Sequence, residues 1–248
     1  MAEADIKQVD PAGLETLELF SEAPYFNRWM FDEIAAFCKG DLLEIGSGIG
    51  NLSIYLLSHS DKVALSDVKP VYCDMLRQKF GHDPSLTGIY MLDLAAPNPG
   101  RSFPELMEKF DSIIALNVVE HIEDHALAIS NCRKLLKPGG QLILLVPAFP
   151  WLYNRMDEEL GHFRRYRKPE VVALLTAEGF QVVHTRYFNA MAIVGWWITG
   201  SLLKMRKIKK APLKWYNRLV PAMRLIDKIA AKKIGLSVIA VARKEFPR

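Results

Sequence analysis

The chain has 248 residues, half of them apolar, which is enough for one α/β domain with a full hydrophobic core and argues against a disordered chain. Its three cysteines, Cys38, Cys73 and Cys132, are far apart and lack metal-ligand spacing, so we expect buried thiols, no disulfides and a reducing compartment. The net charge is +4, but residues 204–233 carry eleven Lys or Arg against one acid, Asp227, which leaves −6 for the rest of the chain.

The first ten residues are acidic and contain no apolar segment, so no secretory signal is expected. We predict a cytoplasmic protein, with a peripheral position on the inner face of the membrane as the alternative. The basic segment near the C-terminal end indicates an anionic surface or substrate.

Short β-branched runs alternate with helical patterns along the chain, which predicts a single doubly wound sheet. Apolar residues at helical spacing predict a first helix over 24–38, and others predict a helix over 123–136 and one that begins at Lys168. Lys137-Pro138-Gly139-Gly140 is expected to end the second of these helices and to turn the chain into the next strand. The predicted strands are 41–45, 62–66, 88–92, 111–116, 141–146, 180–188 and 236–243.

Three glycines, Gly46, Gly48 and Gly50, follow the first predicted strand at every second position. Glycines there allow a sharp turn from strand to helix and leave main-chain atoms open to a ligand. A tight structural turn is the simplest interpretation. A dinucleotide site is a second one, but its GxGxxG pattern requires a glycine where this chain has Asn51.

The glycine stretch and the segments after it resemble the class I S-adenosylmethionine (AdoMet) dependent methyltransferases over about residues 25–189. Residues 44–50 are similar to the family's first motif, and Asp67 stands where the family has an acid for the ribose hydroxyls. Asp93 stands where the family's acid accepts from the adenine amino group. The segment 117–121 is similar to the motif that lies beside the transferred methyl group.

The resemblance implies AdoMet as the cofactor and a seven-stranded, mostly parallel Rossmann-like sheet whose last strand is antiparallel, with helices on both faces. It also implies an N-terminal lid helix, to which residues 24–38 are assigned, in which Tyr25 or Arg28 contacts the cofactor carboxylate. We expect one domain over 1–248 with a helical insertion at 190–235. The residues implied in cofactor binding are Glu44, Gly46, Ser47, Gly48, Gly50, Asn51, Asp67, Val68, Asp93, Leu94, Asn117 and Val118.

Two histidines are candidates for the general base, because an imidazole can take a proton from a hydroxyl near neutral pH. His121 follows the fourth predicted strand, and His162 lies after the fifth. Some families that this segment resembles carry ExxEH here and bind a divalent cation, but Asn117 replaces the first Glu. His125 or His162 would have to compensate, and our prediction is a site without metal.

The segment 153–168 mixes acids, arginines and aromatic residues after the fifth strand, where the resembling family builds its acceptor pocket. Ordinary solvated charge is one explanation. Arginine forks also suit phosphate or carboxylate, so Arg164, Arg165 and Tyr166 are the predicted acceptor-binding residues.

The insertion opens with fourteen uncharged residues, 190–203, too few to span a membrane and interpreted as a buried or interfacial helix. The basic, tryptophan-bearing segment that follows is typical of helices at headgroup level. An apolar face that covers the acceptor pocket or a dimer partner is the alternative, and nucleic acid ranks lower because no RNA-binding module accompanies the charge.

The sequence therefore predicts an AdoMet-dependent methyltransferase that acts on an oxygen of a small or lipid-linked, anionic acceptor, and less readily on nitrogen or carbon. An RNA methyltransferase, a nicotinamide-dependent oxidoreductase and a noncatalytic AdoMet-binding protein are the alternatives.

Overall fold

The computed structural model describes residues 11–97, 99–207, 210–230 and 233–246, and a seven-stranded sheet forms its centre. The strands, β1 to β7 in chain order, are Leu42–Ile45, Val63–Asp67, Leu86–Met91, Phe110–Leu116, Leu136–Pro147, Phe180–Phe188 and Ser237–Lys244.

The strand order is β3-β2-β1-β4-β5-β7-β6. The pairs from β3 through β5 are parallel, whereas β7 runs antiparallel to both β5 and β6. The predicted fold class, a mostly parallel Rossmann-like sheet with an antiparallel last strand, is confirmed.

Helices cover both faces of the sheet and bury an apolar cluster on each. The α-helices, α1 to α10 in chain order, are Pro11–Ser21, Pro24–Ile34, Ser53–Leu57, Pro70–Phe80, Pro99–Ser102, His125–Leu135, Arg155–Glu159, Lys168–Ala177, Ala192–Trp196 and Lys210–Ala230. One cluster contains Ile129 of α6 and Leu175 of α8. The other contains Trp29 of α2 and Val220 of α10.

Two boundaries differ from the sequence-based prediction for local reasons. The helix that was expected to follow the glycine turn directly begins only at Ser53, because the turn continues past Gly50. Strand β5 begins at Leu136, which pairs with Phe110, and the register then shifts before Gln141 pairs with Ser112. The expected turn at 137–140 is therefore an irregular opening of the strand.

The insertion is helical, but its first part is not buried. Helix α9 continues into a π-helix over Trp197–Leu202, and of these eleven residues only Gly200 is buried. Of the two interpretations predicted for 190–203, a buried or an interfacial helix, the structure contradicts the buried one, because most of its side chains are exposed or only half-buried. No helix in the described part of the chain has the length and apolar character needed to cross a membrane.

Candidate functional site

The backbone of the turn after β1 adopts the positive φ angles that favour glycine. Gly46, Gly48 and Gly50 have φ of +68°, +52° and +81°, in the region that side chains with a Cβ rarely adopt. A Cβ on Gly46 would meet Val118 Cγ2 at 2.6 Å, so the β1 turn packs directly against the segment that follows β4. These two segments lie at the carboxyl ends of neighbouring parallel strands, where open α/β sheets bind ligands.

Asp67 ends β2 and is held against the glycine turn. The Gly48 N–H donates to its Oδ2 at 3.0 Å, and the Lys69 N–H donates to its Oδ1 at 2.9 Å. Burial raises the pKa of this carboxyl, and the backbone donors at Lys69 and Gly48 oppose that rise. The turn and the acid that the sequence singled out are therefore one structural unit.

Glu44 lies behind the turn. It is 4 % exposed, its Oε2 accepts from the Ser53 hydroxyl at the start of α3, and burial raises its pKa to about 7. Its predicted contact with the cofactor amino group stays a prediction.

Asp93 lies in a turn whose shape comes from a residue that sequence reasoning missed. The Ala95 N–H donates to Asp93 Oδ1 at 2.7 Å. Asn131, fully buried on α6, donates through Nδ2 to the carbonyl oxygens of Leu94 and Ala96 at 2.9 and 2.8 Å. Nothing in the local sequence links Asn131 to this turn, because the contact spans 35 residues or more.

The remaining predicted cofactor residues surround the same edge of the sheet. Ser47 is buried and contributes its hydroxyl to the β1–β2 contact, at 3.3 Å from the Ser66 N–H. Asn117 is exposed with φ of +54°, Val118 and Val68 are half-buried, and Leu94 belongs to the core.

The helix that contacts the glycine turn is α1, whereas the predicted lid was the helix over 24–38. Asn51 Nδ2 donates to the Leu17 carbonyl at 2.8 Å, and a Cβ on Gly48 would meet Leu17 Cδ1 at 2.9 Å. Tyr25 and Arg28 lie on α2, where Arg28 pairs with Asp32 at 2.8 Å. Helix α2 itself packs over the sheet through Trp29 and Ile34, as predicted for the lid, and its contact with the cofactor carboxylate stays a prediction.

The two candidate bases, His121 and His162, lie side by side. Their ring centroids are 4.7 Å apart with an interplanar angle of 76°. The Phe163 N–H donates to the Glu120 carbonyl at 2.8 Å and so joins the loop after β5 to the segment after β4. His121 is exposed, whereas the side chain of His162 is 9 % exposed.

A buried carboxylate, Asp157, orients this loop. It accepts from His162 Nδ1 and from Arg165 Nε, both at 2.8 Å on Oδ1, and from the Asn154 N–H at 3.0 Å on Oδ2. Its hydrogen bond to Nδ1 leaves Nε2 as the imidazole nitrogen of His162 that is available for chemistry.

Arg165 and Tyr166 are not placed as the sequence predicted. Arg165 is 5 % exposed, with its guanidinium bonded to Asp157 and to the Ala148 carbonyl and stacked 4.6 Å over the Trp196 ring. Tyr166 belongs to the core and its hydroxyl lies 3.1 Å from His125 Nδ1. Both side chains are buried and bonded within the protein, so they stabilise the loop. We therefore no longer propose that either one contacts the acceptor. Arg164 is partly exposed and stays a prediction.

Glu120 adds a carboxylate to the histidine pair. It is fully buried, and neither of its carboxylate oxygens has a hydrogen-bond partner among the described residues. Burial raises its pKa to about 8. Ligand atoms of Glu120, His121 and His162 lie within 4.8 Å of one another, so these residues could hold a divalent cation. Of the two histidines considered as compensating ligands, the structure brings His162 to this place, while His125 faces Tyr166.

Comparisons with known proteins agree with this geometry. Residues 43–142 match the family model described as a methyltransferase domain. A highly reducing polyketide synthase of Emericella nidulans is 26% identical over 133 residues, which cover 50% of this chain and 5% of that protein. The chain therefore spans about a twentieth of the length of that curated relative.

Two solved structures share the fold. The CurJ carbon methyltransferase superposes with a TM-score of 0.55 at 19% identity and covers 83% of this chain and 48% of that one. Phosphoethanolamine N-methyltransferase 2 of Haemonchus contortus, in complex with S-adenosylmethionine, superposes with a TM-score of 0.56 at 14% identity, over 89% of this chain and 52% of that one.

The sheet order, the glycine turn and the acid after β2 define a Rossmann-like domain with a candidate ligand site at the carboxyl ends of its parallel strands. The match of residues 43–142 to the methyltransferase-domain model, together with the fold shared with solved methyltransferases, supports an AdoMet-dependent methyltransferase.

Proposed function

We propose that the chain binds AdoMet at the glycine turn and transfers its methyl group to an oxygen of a small or lipid-linked, anionic acceptor. One observation carries this proposal: the glycine turn packs on Val118, three residues before His121, which stands beside His162. A cofactor cradle and a pair of bases therefore meet at one edge of the sheet.

The residues present fit the cofactor. The turn offers main chain that a Cβ would cover, and Asp67 offers carboxylate oxygens that suit a vicinal diol. When bound, AdoMet supplies a methyl group activated by the sulfonium. The protein aligns the acceptor and takes up its proton, with His121 or Nε2 of His162 as the base.

A cleft beside the site suits an acceptor of moderate size. It has a volume of about 640 Å³ and lies between residues of α1, such as Glu15 and Leu19, and Met205, Arg206, Lys207 and Lys210. A smaller adjoining pocket reaches Leu160, two residues before His162. Arg206 and Lys207 line both spaces, but Arg206 pairs with Glu159 and Lys207 with Glu15, so the anionic character proposed for the acceptor does not rest on these spaces.

Calorimetry with AdoMet, its demethylated product and NAD tests the cofactor. We expect binding of the first two, and Asp67→Asn should weaken it about tenfold because the charged acceptor is lost while the size is kept. Asp74→Asn, an exposed acid on α4, is the matched control. Binding of NAD alone, or an equal loss in both variants, would contradict the proposal.

Carbon methylation is the second candidate, favoured by the polyketide synthase relative and by the CurJ carbon methyltransferase. A histidine base serves carbon acids as well as hydroxyls, so the product decides. NMR of material methylated with a ¹³C-labelled cofactor separates O-methyl from C-methyl shifts.

The same assay with a chelator and with added Mn²⁺ tests whether Glu120, His121 and His162 act through a cation, as their donor set allows.

A further inference from the structure

Helix α10 carries two apolar stripes. The inner stripe, with Leu213, Tyr216, Val220 and Met223, packs on the domain, and α10 also contacts α2 through Asn217, whose Oδ1 accepts from the Phe26 N–H at 3.0 Å. The outer stripe has no counterpart among the described residues that would bury it. Its members Trp215, Leu219, Ile226 and Ile229 are 65%, 50%, 42% and 83% exposed.

The spacing of the outer stripe places it on one face. Steps of four, seven and three residues separate Trp215, Leu219, Ile226 and Ile229, which puts their side chains in one row along an α-helix. Leu225, which is 65% exposed, borders this row. Monomeric proteins rarely leave such a row uncovered, so the outer stripe indicates a contact surface.

The charge around the outer stripe is positive. Helix α10 contains five Lys or Arg and one acid, a formal charge of +4. The acid, Asp227, is 2 % exposed and faces inward, where it binds Arg186 and the Ala190 N–H. Arg218 and Lys228 are exposed, and the guanidinium of Arg218 lies 5.8 Å from the centroid of the Trp215 ring. Lys214 is also exposed, but its Nζ lies 3.7 Å from Glu22.

We propose that the outer stripe of α10 docks on an anionic phospholipid bilayer, with Trp215 and the isoleucines in the headgroup region and the flanking cations on lipid phosphates. A helix with an apolar row, a tryptophan and flanking Lys and Arg matches the requirements of an interfacial helix. A second copy of the chain would bring two such basic helices together, which like-charge repulsion opposes. Nucleic acid would satisfy the cations but would leave the apolar row in water.

The preceding segment supplies a second exposed apolar surface. Val194 and Trp197 of α9 and the π-helix are 55% and 46% exposed, and Leu202 and Leu203 are 61% and 60% exposed, just before Lys204. Because no described helix is suited to cross a bilayer, the docking is at the surface. The proposal does not depend on methyl transfer, and its test uses binding alone.

Sedimentation of the full chain with vesicles tests the docking. We expect binding to phosphatidylcholine vesicles that contain phosphatidylglycerol, loss of binding at high salt, and little binding to phosphatidylcholine alone. The variant Trp215→Ser with Ile229→Ser should lower the partition coefficient about tenfold or more, since two large apolar side chains leave the interface. Val183→Ser with Phe246→Ser, two exposed apolar residues outside α10, is the matched control and should bind as the unmodified chain does.

A second variant, Arg218→Glu with Lys228→Glu, keeps the apolar row and should remove the salt-sensitive part of binding. It tests the docking independently if the serine pair fails to fold. Circular dichroism confirms that each variant is folded. The proposal is overturned if phosphatidylglycerol vesicles bind no protein, or if the control pair loses as much binding as the α10 pair. Loss of a dimer in the serine pair, seen by light scattering, would instead assign the outer stripe to a second copy of the chain. If bulk RNA displaces the vesicles and binds the serine pair as well as the unmodified chain, the ligand is nucleic acid. Either result overturns the proposal.

Discussion

Asp157→Asn is expected to destabilise the protein strongly, because this carboxylate neutralises a buried guanidinium. The side chains of Asp157 and Arg165 are 0% and 1% exposed, and they meet at 2.8 Å. The amide keeps the size of the carboxylate but removes its charge, which leaves Arg165 buried without its nearest counter-charge. Breaking one partner of such a pair costs about 3–5 kcal/mol. The corresponding fall in melting temperature for a chain of this size is about 6–20 °C.

Urea unfolding followed by tryptophan fluorescence measures the loss. Asp74→Asn is the control, since Asp74 also pairs with an arginine, Arg77, at 2.7 Å, but with side chains 66% and 53% exposed. An exposed pair contributes about 0.5 kcal/mol or less. The loss in unfolding free energy for Asp157→Asn should exceed that of the control by clearly more than about 1 kcal/mol. If the difference is less than about 1 kcal/mol, the ion pair is not what stabilises this loop. The nearby Glu120 would then be the first group to examine as the replacement counter-charge.

Three further predictions concern other buried groups. Glu120 has a folded pKa of about 8, above its ordinary value of 4.5, so the stability associated with its neutral form is complete below pH 4.5 and is lost as pH rises through 8. Glu120→Gln should remove up to about 5 kcal/mol of the change in unfolding free energy between pH 4.5 and 8. An unchanged pH dependence of stability, measured with a chelator present, would refute this prediction. Gly50→Ala should lower both stability and AdoMet affinity, because φ is +81° and the new Cβ would lie 2.3 Å from Phe80 Cε2; unchanged melting and calorimetry would contradict this. Burial raises the pKa of Cys38 and Cys132 to about 12, so a thiol reagent at pH 8 should label neither until urea is added.

The arrangement of the predicted cofactor-binding residues was largely predictable from sequence, because its determinants are local. Gly46, Gly48 and Gly50 are needed where the backbone has positive φ, and Asp67 follows a strand whose neighbour is set by the βαβ rule. The order of strands and acids along the chain was therefore enough to bring them to one edge.

The loop after β5 was not predictable in the same way. Arg164 and Arg165 are adjacent and chemically identical, and only the position of Asp157 decides which guanidinium is buried. The same holds for α1, whose contact with Gly48 through Leu17 leaves no pattern in its own sequence. Ion pairs and lid contacts depend on which surfaces meet in three dimensions, and composition does not encode that.

Helix α10 shows how the structure changes the meaning of a sequence pattern. Its sequence contains enough apolar residues for two stripes, and periodicity alone cannot say which one faces the core. The structure assigns Val220 and Leu213 to the inside, with 1% and 7% exposure, and leaves Trp215 and Ile229 outside. Because the inner stripe and Asn217 already fasten the helix to the domain, the outer stripe is not needed for folding. Substitutions in it should therefore change binding while leaving stability within about 0.5 kcal/mol, which separates a docking surface from a misassigned core.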